Sequence, residues 1–186
     1  GSEMCIRDRD RIFLSGYFGR DNFGFSDQFG FDWGNSTGTL RWNHIYSDKL
    51  FGNTSVVFSN YNYKIKFGGG TETFQIGSQI QDINVKEDFD FYINSNNTLK
   101  FGANFIHHTF KPGEIETGEG INFQLNDIEN RFSIESSIYI SNEQKIKKRL
   151  VLIYGLRFDN FTQIGPGDFY TYDNEGSVTD TATFDD

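Results

Sequence analysis

The chain has 186 residues, 36% hydrophobic and 17% aromatic, with a formal charge of −9. That charge, with no basic stripe to offset it, repels a phosphate backbone and argues against nucleic acid as a partner. No stretch reaches the roughly 18 uninterrupted apolar residues of a membrane helix, and 21 Phe, 9 Tyr and 20 Gly against 2 Pro favour strands over helices.

Residues 1–8 (GSEMCIRD) break the pattern of everything after them and read as a non-native, adapter-like leader outside the fold. They hold the single Cys and single Met, so the remainder has no thiol chemistry. No secretory signal is visible, so an exported protein would need one upstream.

The first strand is expected over Arg11 to Gly19, followed by a long Gly, Asp, Asn and Phe loop from Arg20 to Trp33. Asn35 to Ser47 is the second strand, with Leu40, Trp42 and Tyr46 opposing Thr39, Arg41 and Asn43, and Asp48 to Gly52 is a turn. In the third, Asn53 to Phe67, Val57, Tyr61, Tyr63, Ile65 and Phe67 share a face. The fourth, Phe74 to Ile93, changes parity near Gln81: its apolar residues are even before that point and odd after it, which predicts a β-bulge.

Thr98 to Phe110 is the fifth strand, with Leu99, Phe101, Ala103 and Phe105 outward, and a long loop is expected from Lys111 to Asn130. Ile134 to Asn160 then reads as an amphipathic hairpin. Ile134, Ile138 and Ile140 on one arm match Leu150, Leu152, Leu156 and Phe158 on the other, across the basic turn Asn142 to Lys148. Opposite charges favour a register with Glu135 facing Arg157 and Ile138 facing Tyr154. Thr162 to Asp186 reads as a polar tail without a partner strand.

The fold class that follows is all-β: an antiparallel up-and-down meander of about seven strands. The arms suit a bilayer crossing, which takes on the order of 9 to 11 residues of tilted strand. The connections alternate, long after the first strand, short after the second, intermediate after the third, then short, long, short and long. Outer-membrane barrels sort their loops this way, with short periplasmic turns and longer extracellular loops.

Five phrases carry a resemblance: DRIFLSGYFGRDNF from Asp10, WGN at Trp33, LRWNHIYSDKLFGNTS from Leu40, KFGANFIHHTFKPG from Lys100 and SSIYISNEQKIKKRLVLIYGLRFDNF from Ser136. They resemble barrel segments of TonB-dependent receptors of the Bacteroidetes type, from Asp10 to about Phe184. The resemblance implies a plugged barrel of roughly 22 strands in the cell outer membrane, contacting lipid. It also implies import of a siderophore, cobalamin, oligosaccharide or peptide with energy relayed by the TonB complex through a plug. Plug and TonB box do not occur here, so residues 9–163 read as part of the barrel wall and 164–186 as a truncated extracellular loop. The alternative is a soluble or secreted β-rich binding module, and a third reading is a smaller barrel with lumenal hydrolase activity.

No cofactor, catalytic or metal site is assigned, an enzyme is not expected, and no residue is assigned to ligand binding. His107 and His108 are adjacent on a strand and point to opposite faces, so they do not grip one ion together. His44 shares the face of Trp42 and Tyr46 as an interfacial residue. Three His, by spacing, support no Ser, His and acid constellation. Gly68 to Gly70 is a loop tip without the Lys and Ser/Thr of a phosphate cradle. Asp173, Glu175, Ser177 and Asp180 around Gly176 lack the full ligand pattern of a calcium loop. Lys145, Lys147, Lys148 and Arg149 keep a hairpin tip soluble, with a lipid headgroup site as the other reading. Ligand contacts are expected to gather on the long loops, Arg20 to Trp33, Lys111 to Asn130 and Ile164 to Asp186.

Overall fold

Among the described residues, alternating side chains and tight polar turns give ten strands and no helix. They are β1 (Ser2–Arg7), β2 (Asp10–Phe25), β3 (Phe29–Ser47), β4 (Leu50–Phe67), β5 (Phe74–Asn94), β6 (Asn97–Thr117), β7 (Arg131–Ile146), β8 (Leu150–Ile164), β9 (Gly167–Tyr172) and β10 (Val178–Phe184). The computed structural model describes residues 2–7, 9–25, 28–68, 74–117, 129–147, 149–165, 167–174 and 176–184. Strands β1 to β8 pair in sequence order as one antiparallel sheet, and β9 and β10 form a separate hairpin. The meander and its next-neighbour pairing are as expected from the sequence. Among the described residues no apolar side chain is buried, so this is a single layer without a core of its own.

Several local expectations are corrected. The loop placed at Arg20 to Trp33 is strand: β2 and β3 pair rung by rung from Asp10 with His44 to Phe25 with Phe29. Its Gly and Asn residues were misleading because Gly24 faces Gly30, a pairing that costs strand propensity but leaves the ladder intact. The turn expected at Asp48 to Gly52 is confined to two residues, with β4 beginning at Leu50. Strand β6 runs to Thr117, into the loop expected from Lys111; residues 118–128 lie outside the described residues. The polar tail contains β9 and β10. Ser2–Arg7, set aside in the sequence, pairs with β2 as β1.

No bulge occurs at Gln81. β4 and β5 stay in one register from Leu50 with Phe91 to Phe67 with Phe74. The nearest irregularity is between Gly77 and Gln79, where two steps on β5 match three on β6, Glu114 to Lys111. The extra residue falls in the Pro112 and Gly113 pair, because Pro supplies no N–H to a ladder and Gly113 takes φ 36. Ser78 closes the gap by donating to the Lys111 carbonyl oxygen at 3.1 Å.

The β7–β8 register also differs. Glu135 faces Phe161, Ile138 faces Phe158 and Tyr139 faces Arg157. The turn decides it: β7 continues to Ile146, which pairs with Leu150 across three residues, and Lys147 takes a left-handed φ of 56. Cross-strand charge is a weaker constraint than turn geometry. Arg157 instead bonds Asp159 at 2.8 Å and donates to Ser137 Oγ at 3.0 Å.

The ladders are staggered regularly. One rung runs Leu14, Leu40, Val56, Val85, Phe105, Ser136, Asn160. Measured from it, the hairpins closing at one end of the sheet lengthen in equal steps. Ser2 and Leu14 are 12 residues apart, Leu40 and Val56 16, Val85 and Phe105 20, and Ser136 and Asn160 24. Each turn lies two residues farther out than the last, about one residue of stagger per strand. With a rise of roughly 3.3 Å per residue and roughly 4.8 Å between strands, turns held at one height need strands inclined by about 35°.

Candidate functional site

Register assigns every described strand residue a face, and the faces exchange character halfway along the strands. In the half next to the tight turns, the front face carries Leu14, Leu40, Val56, Val85 and Phe105 on one rung. Phe89, Phe101, Ile140 and Leu156 lie on the same face four residues nearer the turns. The back face of this half is polar: Arg11, Asn43, Asn53, Asp88, Gly102, Tyr139 and Arg157 share a rung, and Arg41, Ser55, Lys86, Asn104, Ser137 and Asp159 the next.

In the far half the assignment is reversed. Back-face rungs there read Phe23, Phe31, Ile65, Ile76 and Phe25, Phe29, Phe67, Phe74. The front reads Arg20, Gly34, Asn62, Gln79, Lys111 and Asn22, Asp32, Lys64, Gly77. The parity change near Gln81 is therefore a straight strand whose apolar side changes face. It also explains why Tyr61, Tyr63, Ile65 and Phe67 lie opposite the face that bears Leu40 and Trp42.

Hydrogen bonds knit the polar back face. Tyr139 Oη donates to Asp88 Oδ1 at 2.6 Å across Gly102, whose missing side chain makes room for the ring. A Cβ on Gly102 would stand 2.8 Å from Tyr139 Cε1 and still closer to the Glu87 carbonyl oxygen. Lys86 pairs with Asp88 at 2.8 Å and Lys100 with Asp90 at 3.4 Å. The side-chain oxygens Asn43 Oδ1, Asn53 Oδ1, Asn84 Oδ1 and Asn104 Oδ1 are shielded and have no protein partner.

One row on this face was hidden from the sequence. Asp82, His108 and Ser133 occupy one rung of β5, β6 and β7, with His108 Nδ1 2.8 Å from Asp82 Oδ1 and Nε2 3.9 Å from Glu135 Oε2. Spacing gives no hint of it, since the three come together only through two register choices. Ser133 is 2% exposed and its Oγ has no partner, so the row lacks the hydroxyl-to-imidazole hydrogen bond from which nucleophilic catalysis starts. The imidazole instead ties β5 to β7.

The front face has polar exceptions inside its apolar half. Asp10 Oδ1 accepts from Trp42 Nε1 at 3.0 Å and lies 2.6 Å from His44 Nδ1, while the His44 and Tyr46 rings meet edge-on at 4.4 Å. His44 thus sits with Trp42 and Tyr46 as expected, held by an acid on the neighbouring strand that lies far from it in the chain. Glu87 accepts from Thr54 Oγ1 at 2.5 Å, and the Tyr46 ring lies over neighbouring Gly52.

The remaining candidates are distributed as follows. His107 and His108 face opposite ways, His107 toward Phe132 and His108 over Phe110. Gly68, at φ 83, donates to the Gln28 carbonyl oxygen; residues 69–70 lie outside the described residues. Asp173 Oδ1 accepts from Ser177 N at 2.8 Å and Asp180 Oδ1 from Thr181 N at 2.9 Å, so both carboxylates cap backbone in the β9–β10 hairpin. Position 175 lies outside the described residues. Lys145 pairs with Glu143 at 3.8 Å, Lys147 and Arg149 are exposed at the turn, and residue 148 lies outside the described residues. Among the described residues no group of three or more His, Cys, Asp or Glu is arranged to hold a metal ion. Comparison of the chain with protein-family models, with curated proteins and with solved structures finds no match.

Proposed function

We propose that this chain forms part of the wall of an outer-membrane β-barrel, in a TonB-dependent transporter that imports a nutrient ligand. The observation that carries the reading is the uniform stagger of the tight turns, about one residue per strand. It corresponds to an inclination of about 35°, and transmembrane barrels incline their strands by roughly 35–45°. The apolar half of the front face begins at those turns, as a lipid-facing band above short periplasmic turns does. The polar back face suits a hydrated lumen. The TonB-dependent assignment rests on the resemblance of the five phrases, and the ligand is left at the class of small or oligomeric nutrients.

Nitroxide labels on single-cysteine variants of the full-length barrel in vesicles test the wall. Leu156→Cys is expected to report high oxygen and low aqueous nickel-complex accessibility, and Arg157→Cys and Lys64→Cys the reverse. An aqueous signature at Leu156 removes the membrane reading and favours a soluble binding module. Ligand uptake that persists in cells lacking TonB removes the transporter class.

A further inference from the structure

Strands of 18 to 21 residues (β4, β5, β6) are about twice as long as a tilted crossing of 9 to 11 residues requires. On the barrel reading, which this inference deepens, the far halves therefore stand clear of the bilayer. Their front face agrees: it is ion-paired and amide-bonded, with Arg20 3.7 Å from Asp32, Asn22 donating to Asp32 at 2.8 Å, and Gln79 donating to Asn60 at 2.7 Å. That is a water-facing exterior. The aromatic back face is then the side turned toward the lumen mouth.

We propose that this inner surface of the projecting half is a binding site for a neutral ligand carrying an apolar, planar ring. Two consecutive rungs, four strands wide, hold only Phe and Ile: Phe23, Phe31, Ile65, Ile76 and Phe25, Phe29, Phe67, Phe74. The rings already pack on one another, Phe29 on Phe67 at 5.6 Å and Phe31 on Trp33 at 4.9 Å, yet Phe23, Phe25 and Phe67 remain exposed. The ladders use the backbone groups of β3 and β4 on both sides and those of β2 on its β3 side, so inward of the open β2 edge the surface offers an incoming molecule ring faces and no side-chain hydrogen bond. A sugar or a peptide would lose water from its hydroxyls or amides here without replacement, which costs roughly 1–3 kcal/mol for each group left unpaired. An anion would find no cation on these two rungs. A ring-bearing apolar ligand loses nothing by desolvation and gains stacking. The rung beneath, Asp21, Trp33, Tyr63 and Ser78, supplies hydroxyls and a carboxylate for a single polar substituent.

Calorimetry on the full-length protein in nanodiscs tests this, with 2-naphthol, maltotriose and inorganic phosphate as probes. Saturable binding of 2-naphthol is expected, weakened at least tenfold by Phe31→Ser and by Ile65→Ser. Lys64→Ser, on the other face of the same strands, is expected to leave it unchanged. Retained heat-modifiable gel mobility shows that each variant is folded. The proposal is overturned if 2-naphthol binding is absent or indifferent to both apolar substitutions, or if maltotriose or phosphate is the saturable probe. In either of those cases a Leu156→Cys label still reporting lipid leaves the barrel reading standing, so the two failures are distinguishable.

Discussion

Individual side chains matter here mainly where one strand's residue reaches over another's gap. Tyr139 spans the space above Gly102 to reach Asp88, and the ladder has no slack there because a Cβ would strike the Tyr139 ring and the backbone of β5. On the barrel reading, Gly102→Ala is expected to destabilise the full-length protein by about 1–3 kcal/mol, the usual range for overpacking. Tyr139→Phe, which removes only the hydrogen bond, is expected to cost about 0.5–1.5 kcal/mol. Urea unfolding from vesicles orders the two, and equal losses would count against the packing account. Both effects depend on a pairing, Gly102 opposite Asp88 and Tyr139, that no inspection of one strand discloses.

At the scale of the element, the β7–β8 hairpin shows turn geometry prevailing over cross-strand charge. Lys147 holds a left-handed φ of 56, a conformation that costs an L-residue roughly 1–2 kcal/mol relative to glycine. Lys147→Gly is therefore expected to stabilise the hairpin by a few tenths to about 1 kcal/mol, and Lys147→Val to destabilise it, read as opposite shifts in the unfolding midpoint. No change in either variant would mean that the turn relaxes freely and that something else sets the register. The amphipathic periodicity of both arms was legible in the sequence, including the even parity shared by Ile138 and Phe158. Their facing one another was not, because moving the partner by any even number of residues, here the four from Tyr154 to Phe158, preserves every face and differs only in how the turn closes.

For the whole molecule, the exchange of faces makes position along a strand as important as parity. On the barrel reading, Leu156→Arg, in the apolar half of the front face, is expected to cost on the order of 2–4 kcal/mol if near the bilayer midplane. Lys64→Leu, on the same face in the far half, is expected to be close to neutral. Comparing their unfolding in vesicles locates the lipid boundary, and a near-zero effect at Leu156 would contradict it. The open sheet sets a further expectation. Strand β8 is exposed on both faces, Leu152, Ile153, Leu156 and Phe158 included, and an unpaired apolar edge templates association. Residues 9–186 expressed alone are expected in inclusion bodies without uptake activity, and a monodisperse detergent-free monomer with a cooperative thermal transition would overturn that.

The sequence alone determined that the chain is all-β, where most strands lie, which residues of each strand share a side, and that His107 and His108 cannot act together, because side-chain alternation is a local property of extended backbone. Arg20 to Trp33 reads as a loop because its Gly, Asp and Asn residues have low strand propensity, and Gln81 as a bulge because a strand is assumed to keep one apolar side from end to end. Only the tertiary structure decided which sides of neighbouring strands coincide. The register sums that bring Asp82, His108 and Ser133 into one row, step the turns outward two residues at a time and gather Phe29, Phe31, Ile65 and Phe67 on one surface depend on turn closures and a bulge at Pro112 and Gly113. Those are set by a few dihedral angles and by pairing across long chain separations, to which local periodicity is blind.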